Sequence, residues 1–211
     1  MTQQRILCFG DSNTWGYSPT DGARYPQHVR WTGVLQQLLG ADYCVIEEGL
    51  NGRTTDIDYA ARPGRNGRTY LAPCLDSHAP LDFVIVNLGA NDTKVEFARS
   101  AEAISNAMEG LIRLIRGEGL ERPSPGVQII LVAPSAIHEG VGEYGAMFIG
   151  ASKKIATLAQ LYRALAQKYD LLFVDFSDAI VPSPLDGVHL SAAAHHTIAT
   201  LLCDVIHGDH S

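Results

Sequence analysis

Five short apolar runs, at 6–9, 43–47, 83–88, 127–133 and 171–176, punctuate the chain, each about the length of a strand. Several are nearly unbroken in Val, Ile and Leu, the pattern of strands covered on both faces. Between them, apolar positions recur at helical spacing. The spacing predicts helices over 31–39, ended by Gly40, over 101–116, ended by Gly117, and over 153–168. A last helix is predicted over about 191–206, with Ser191 as N-cap and Gly208 just past its end. Alternating strands and helices imply right-handed crossovers, so the expected fold is α/β: a three-layer α/β/α sandwich around a five-stranded parallel sheet of flavodoxin-like order. At 211 residues one domain over 1–211 is expected. Two segments do not fit the alternation. Residues 54–80 hold Arg62, Pro63, Gly64, Gly67 and Pro73, and residues 135–150 are rich in glycine. Both read as long loops of the functional or interface-forming kind.

Composition narrows the partners. The formal charge is −7, and the densest basic grouping is Arg62, Arg65 and Arg68. A phosphate backbone would be repelled over most of the surface, which excludes nucleic acid as a partner. Those arginines could grip an anionic substrate, but surface ion pairs or subunit contacts are the preferred reading. Cys8, Cys44, Cys74 and Cys203 form no CxxC pair and read as small buried residues, consistent with a reducing cytoplasm. No apolar run approaches 18 residues, and with Met1 leading directly into a strand, neither a membrane span nor a cleaved leader is expected. Tyr144, Met147 and Phe148 would give the glycine-rich loop an apolar surface, so a homo-oligomer is expected. His195 and His196 read as exposed helix residues, and His207 and His210 as members of a polar tail; no metal and no cofactor are assigned.

In an open parallel sheet, ligands bind beyond the carboxyl ends of the strands. The first strand delivers Gly10-Asp11-Ser12-Asn13-Thr14 there, and the second Gly49-Leu50-Asn51-Gly52-Arg53-Thr54. The third delivers Gly89-Ala90-Asn91-Asp92, and the last leads to Asp186-Gly187-Val188-His189. Taken alone, each segment reads as an ordinary turn. Together they supply what acyl transfer needs: a nucleophile, a base, a group to orient the base, and donors for the oxyanion. Ser12 is the candidate nucleophile and His189 its base, with Asp186 on the other imidazole nitrogen. The backbone N–H groups of Ser12 and Gly52 and the amide of Asn91 are the candidate oxyanion donors. Trp15 is a candidate wall of the acyl pocket. Activity is expected to fall with pH as the catalytic histidine protonates.

These segments resemble the four sequence blocks of the SGNH (GDSL) hydrolases: Ser12 in GDS, Gly52 in the second block, Asn91 in GxND, and Asp186 with His189 in DxxH. Asn13 departs from the pattern, which has leucine there. The stretches GDSNTWG, RWTGVL from Arg30, EEGLNGRTT from Glu47 and LGANDTK are similar to those of oligomeric bacterial arylesterases and acyltransferases, a group that includes carbohydrate acetylesterases. The resemblance implies a serine esterase acting on acetyl-like esters of aryl, alkyl or sugar alcohols, with acyl transfer to alcohols known among relatives. A thioesterase or lysophospholipase is the alternative within the superfamily. A flavodoxin-like phosphate- or flavin-binding module is the non-enzymatic one, and it leaves Asn91, Asp186 and His189 without a task. No GxSxG elbow is present, so the usual α/β-hydrolase reading fails.

Overall fold

A computed structural model describes residues 3–208. All five predicted strands form: β1 (Gln4–Gly10), β2 (Tyr43–Gly49), β3 (Phe83–Asn87), β4 (Gln128–Ala133) and β5 (Leu172–Asp175). They pair in parallel throughout, in the order β2-β1-β3-β4-β5, which is the flavodoxin-like arrangement.

Side chains alternate across this sheet and build two cores. Leu7, Phe9, Val84, Val86 and Leu131 face one way, toward α3 (Gly67–His78), α4 (Ala101–Ile115) and α5 (Ala151–Tyr169). Ile6, Cys8, Ile85, Ile130 and Val132 face the other way, toward α2 (Trp31–Leu39) and α7 (Ala192–His207). Burial on both faces is why these strands read as continuous apolar runs rather than alternating ones. Two single turns complete the helices, α1 (Ser12–Trp15) and α6 (Phe176–Ala179).

The helix signals act as their chemistry dictates. Ser191 caps α7 by accepting from the Ala194 N–H, and Gly208 ends it in the left-handed region at φ 77°. Ser100 caps α4 in the same way through Ala103. Segment 54–80 is not the long loop expected from its glycines and prolines. Its second half is α3, capped by Asn66 through the Thr69 N–H, with Pro73 inside the helix. Pro73 lacks the N–H that would bond one turn back, so this helix depends on Leu71, Cys74 and Leu75 packing against the sheet.

Two histidines need correction. His195 is not exposed: it is wholly buried, its Nδ1 accepting the Trp31 N–H at 3.2 Å and its ring meeting Tyr25 edge-on. His207 is the last residue of α7, near Tyr43, rather than part of a tail. His196 is exposed, as expected, and His210 lies outside the described residues. Cys8, Cys74 and Cys203 are buried and Cys44 is half-buried. No helix among the described residues is long and apolar enough to cross a membrane.

Candidate active site

The carboxyl ends of β1, β2 and β3 and the loop before α7 converge on one cavity of about 190 Å³, lined by Ser12, Gly52, Asn91 and His189 among others. Each arrives by a local device. Asp11 is the N-cap of α1, its carboxylate accepting the Asn13 N–H at 2.9 Å, so Ser12 is the first residue of a helical turn laid against the strand end. Beyond β3, Gly89 adopts φ 116°, and a Cβ there would meet the Tyr162 hydroxyl at 2.5 Å. Only glycine lets the chain bend over Tyr162 and carry Asn91 into the cavity. In the last loop Gly187, at φ 71°, presses so closely on the His138 carbonyl that no side chain would fit. Its own carbonyl accepts the His138 N–H at 2.8 Å.

Asp186, buried, lies at the start of a hydrogen-bonded chain. Its Oδ1 accepts the N–H groups of Val188 and His189 at 3.0 and 2.9 Å, while its Oδ2 meets His189 Nδ1 at 2.7 Å. Burial would raise the Asp186 pKa, but the imidazole and the two N–H donors outweigh it and hold the carboxyl below its usual range. At the other side of the ring, His189 Nε2 lies 3.1 Å from Ser12 Oγ. A hydroxyl on one imidazole nitrogen and a carboxylate on the other is the arrangement that activates serine for attack on a carbonyl.

A second network holds the segments that carry the candidate oxyanion donors. Asp92, wholly buried, accepts the Thr55 N–H and hydroxyl, the latter at 2.6 Å, and the Arg99 guanidinium at 2.9 Å. This ties the segment carrying Gly52 to the one carrying Asn91. Burial raises the Asp92 pKa against the pull of those partners. Asn91 Nδ2 is held by Asp11 Oδ2 at 3.3 Å. Burial lifts the Asp11 carboxyl to about 6, against the lowering effects of the Asn13 N–H, His189 and Arg53. Arg53, itself buried, bonds the carbonyls of Gly10 and Glu48 and lies over the Phe9 ring, pinning the ends of β1 and β2. Arg30 grips Glu47 with two bonds of 2.7 and 2.6 Å, which fixes α2 against β2.

Several cavity residues were not assigned to the site from the sequence. Tyr17 stacks on His189 with ring centroids 4.0 Å apart, Tyr144 meets the same imidazole edge-on at 5.4 Å, and the two hydroxyls are 2.9 Å apart. Asn13, where the family pattern has leucine, donates to the Val188 carbonyl at 3.3 Å and so ties the serine turn to the histidine loop. Trp15 is absent from the cavity wall; it is half-buried beneath the Arg24 guanidinium, and Tyr17 takes the expected place. Tyr144, Met147 and Phe148 also line the cavity, which corrects the reading of their loop as an outward apolar surface. Arg62 lines it too, not a surface ion pair as expected. Away from the cavity, Glu48, Cys74 and His78 bring possible metal-ligand atoms within 4.8 Å of one another. Burial and Glu48 push the Cys74 thiol up to about 12, so it is held as a thiol beside the Glu48–His78 hydrogen bond.

Comparison with known proteins agrees with this architecture. The sequence profile of the GDSL-like lipase/acylhydrolase family matches residues 8–197. The fold superimposes on an aryl esterase from M. smegmatis with a TM-score of 0.90 and 40% identity, covering 97% of this chain and 99% of that one. It superimposes on a carbohydrate acetylesterase from Sinorhizobium meliloti with a TM-score of 0.92 and 38% identity, covering 98% and 99%. Among curated proteins, none matches significantly.

Proposed function

The chain belongs to the GDSL-like lipase/acylhydrolase family and is a carboxylic ester hydrolase; within that activity we propose that one domain over 1–211 cleaves acetyl-like esters of aryl, alkyl or sugar alcohols through an acyl-enzyme on Ser12. The observation that carries the reading is the continuous chain from Asp186 through His189 to Ser12, at 2.7 and 3.1 Å, opening into a cavity bordered by Asn91 and Gly52.

In this mechanism Ser12 Oγ attacks the ester carbonyl while His189 Nε2 takes its proton. Asp186 holds the imidazole in the tautomer that leaves Nε2 free to accept, and it stabilises the imidazolium that forms. The oxyanion is met by the N–H groups of Ser12 and Gly52 and by Asn91 Nδ2. Asp11 and the Asp92 network hold those donors before substrate arrives, so no reorganisation is needed as charge develops. The imidazolium returns its proton to the leaving alkoxide, and water or a second alcohol then takes the acyl group by the reverse path. Transfer to an alcohol is thus part of the proposal. The tyrosines against His189 hold the ring and limit water around it.

Acyl length follows from size. About 190 Å³ is below the ~300–1,000 Å³ of sites that enclose drug-sized ligands, which favours a short acyl group over the long chain of a lysophospholipase or thioesterase substrate. We also propose a cytoplasmic homo-oligomer without cofactor, metal, membrane or nucleic-acid partner. Support for self-association now comes from Val95 and Ile149, 52% and 56% exposed. A series of p-nitrophenyl esters assayed with wild type and Ser12→Ala tests the function. Best turnover of acetate to butyrate, lost in Ser12→Ala, is expected; a preference for C8 or longer overturns the short-acyl assignment. Light scattering tests the assembly, and a monomeric mass refutes it.

A further inference from the structure

Two cations in the cavity have no carboxylate partner among the described residues. Lys94, three residues past Asn91, is only 5% exposed and lines the cavity, its ammonium 5.6 Å from the Tyr59 ring and 5.7 Å from that of Phe148. Arg62 lies over Gly52, where a Cβ would meet its guanidinium at 2.5 Å. Neither forms a salt bridge among the described residues.

The acidic groups around them are bonded elsewhere. Glu96 accepts the Tyr59 hydroxyl at 2.9 Å, Asp92 holds Thr55 and Arg99, and Asp11 holds Asn13 and Asn91. Burial pulls Lys94 below the ordinary lysine range, and Arg62 adds repulsion against the opposing pull of Glu96, Asp11 and Asp92. A buried lysine and a half-buried arginine, without an ion bridge among the described residues, are held at a cost that an incoming anion would offset.

Resting on the esterase reading above, we propose that the cavity selects esters bearing a carboxylate a few bonds from the scissile carbonyl, with Lys94 and Arg62 as the residues that hold it. The carboxylate could belong to the acyl half, as in a dicarboxylic acid half-ester, or to the alcohol half, as in an acylated hydroxy acid. A guanidinium and an ammonium flanking Gly52 and Asn91 would hold such a group beside the oxyanion donors and orient the carbonyl toward Ser12.

Two isosteric pairs separate the sources by titrimetric assay. For the acyl half the pair is monoethyl succinate against ethyl 4-methylpentanoate; for the alcohol half it is 4-acetoxybenzoate against 4-isopropylphenyl acetate. The readout is the anionic-to-neutral ratio of kcat/KM, in which any general effect on the oxyanion cancels. In Lys94→Met the ratio is expected to fall about tenfold or more for one pair, and Arg62→Gln should lower it for the same pair. The pair that moves identifies which half carries the charge; ratios equal to wild type for both pairs in both variants overturn the proposal.

Binding of the same esters to Ser12→Ala, measured by calorimetry, decides the matter without turnover. Binding of one anionic ester about tenfold tighter than its neutral partner supports carboxylate selection, and equal affinities overturn it. Hydrolysis by Ser12→Ala at the wild-type rate would instead refute the Ser12 mechanism, leaving the binding comparison to judge Lys94 and Arg62.

Discussion

His195 should make folding stability depend on acidity far from the chemistry. Its ring is wholly buried between α7 and α2, Nδ1 accepts the Trp31 N–H, and Nε2 has no partner among the described residues. Protonation would place a charge among apolar side chains and remove the acceptor that Trp31 uses. Burial, and to a lesser degree the nearby His189, therefore lower its pKa from the ordinary 6.5 to about 4. The unfolded chain binds this proton below about 6.5 and the folded chain only near 4, so the stabilisation is complete above 6.5 and is lost as pH falls through 4. A shift of roughly 2.5 units corresponds to about 3 kcal/mol. Urea unfolding at pH 7, 5.5 and 4, extrapolated linearly to water, gives the loss for wild type and for His195→Gln, which keeps an acceptor but does not titrate. Wild type should lose about 3 kcal/mol more than the variant over this interval. Equal losses in the two proteins would refute the reasoning.

Other perturbations act on the cavity itself. Asn91→Ala should lower kcat on p-nitrophenyl acetate roughly 10²–10³-fold with little change in KM, because its amide serves the transition state rather than the bound ester; unchanged kcat would remove it from the oxyanion donors. Asp186→Asn should keep the fold and reduce kcat on the order of 10³-fold, since an amide there favours the wrong imidazole tautomer. Loss of less than tenfold would mean that His189 is oriented by other groups. Tyr17→Ala should lower kcat/KM about tenfold by freeing the imidazole, whereas Tyr17→Phe, which keeps the stacked ring, should stay near wild type. Equal rates in all three proteins would show that the stack does not position the base.

The sheet was legible because strands buried on both faces cannot hide their apolar runs, and α2 and α7 were legible because glycine follows each directly. The α3 helix was not, since Pro73 and the glycines before it carry the local signals of a loop while its stability comes from tertiary packing. His195 was misread by neighbourhood rather than period. It stands three, four and seven residues before Ile198, Ala199 and Leu202, which places it on the buried stripe of α7, and that spacing was available in the sequence. The serine, histidine and asparagine segments stood out because strand ends in an open sheet share one edge. The aromatic and cationic lining did not, for Tyr17 and Tyr144 are 127 residues apart and no local pattern joins them. Arg62 likewise reaches the cavity only through the fold of the segment before α3.

The central claim is that Ser12 becomes covalently acylated, and labelling with a p-nitrophenyl alkylphosphonate followed by peptide mapping tests it most directly. One adduct on the peptide bearing Ser12, release of one equivalent of p-nitrophenol, and neither in Ser12→Ala are the predicted results. An adduct on another residue, or phosphonylation of Ser12→Ala to the same extent, would contradict the account.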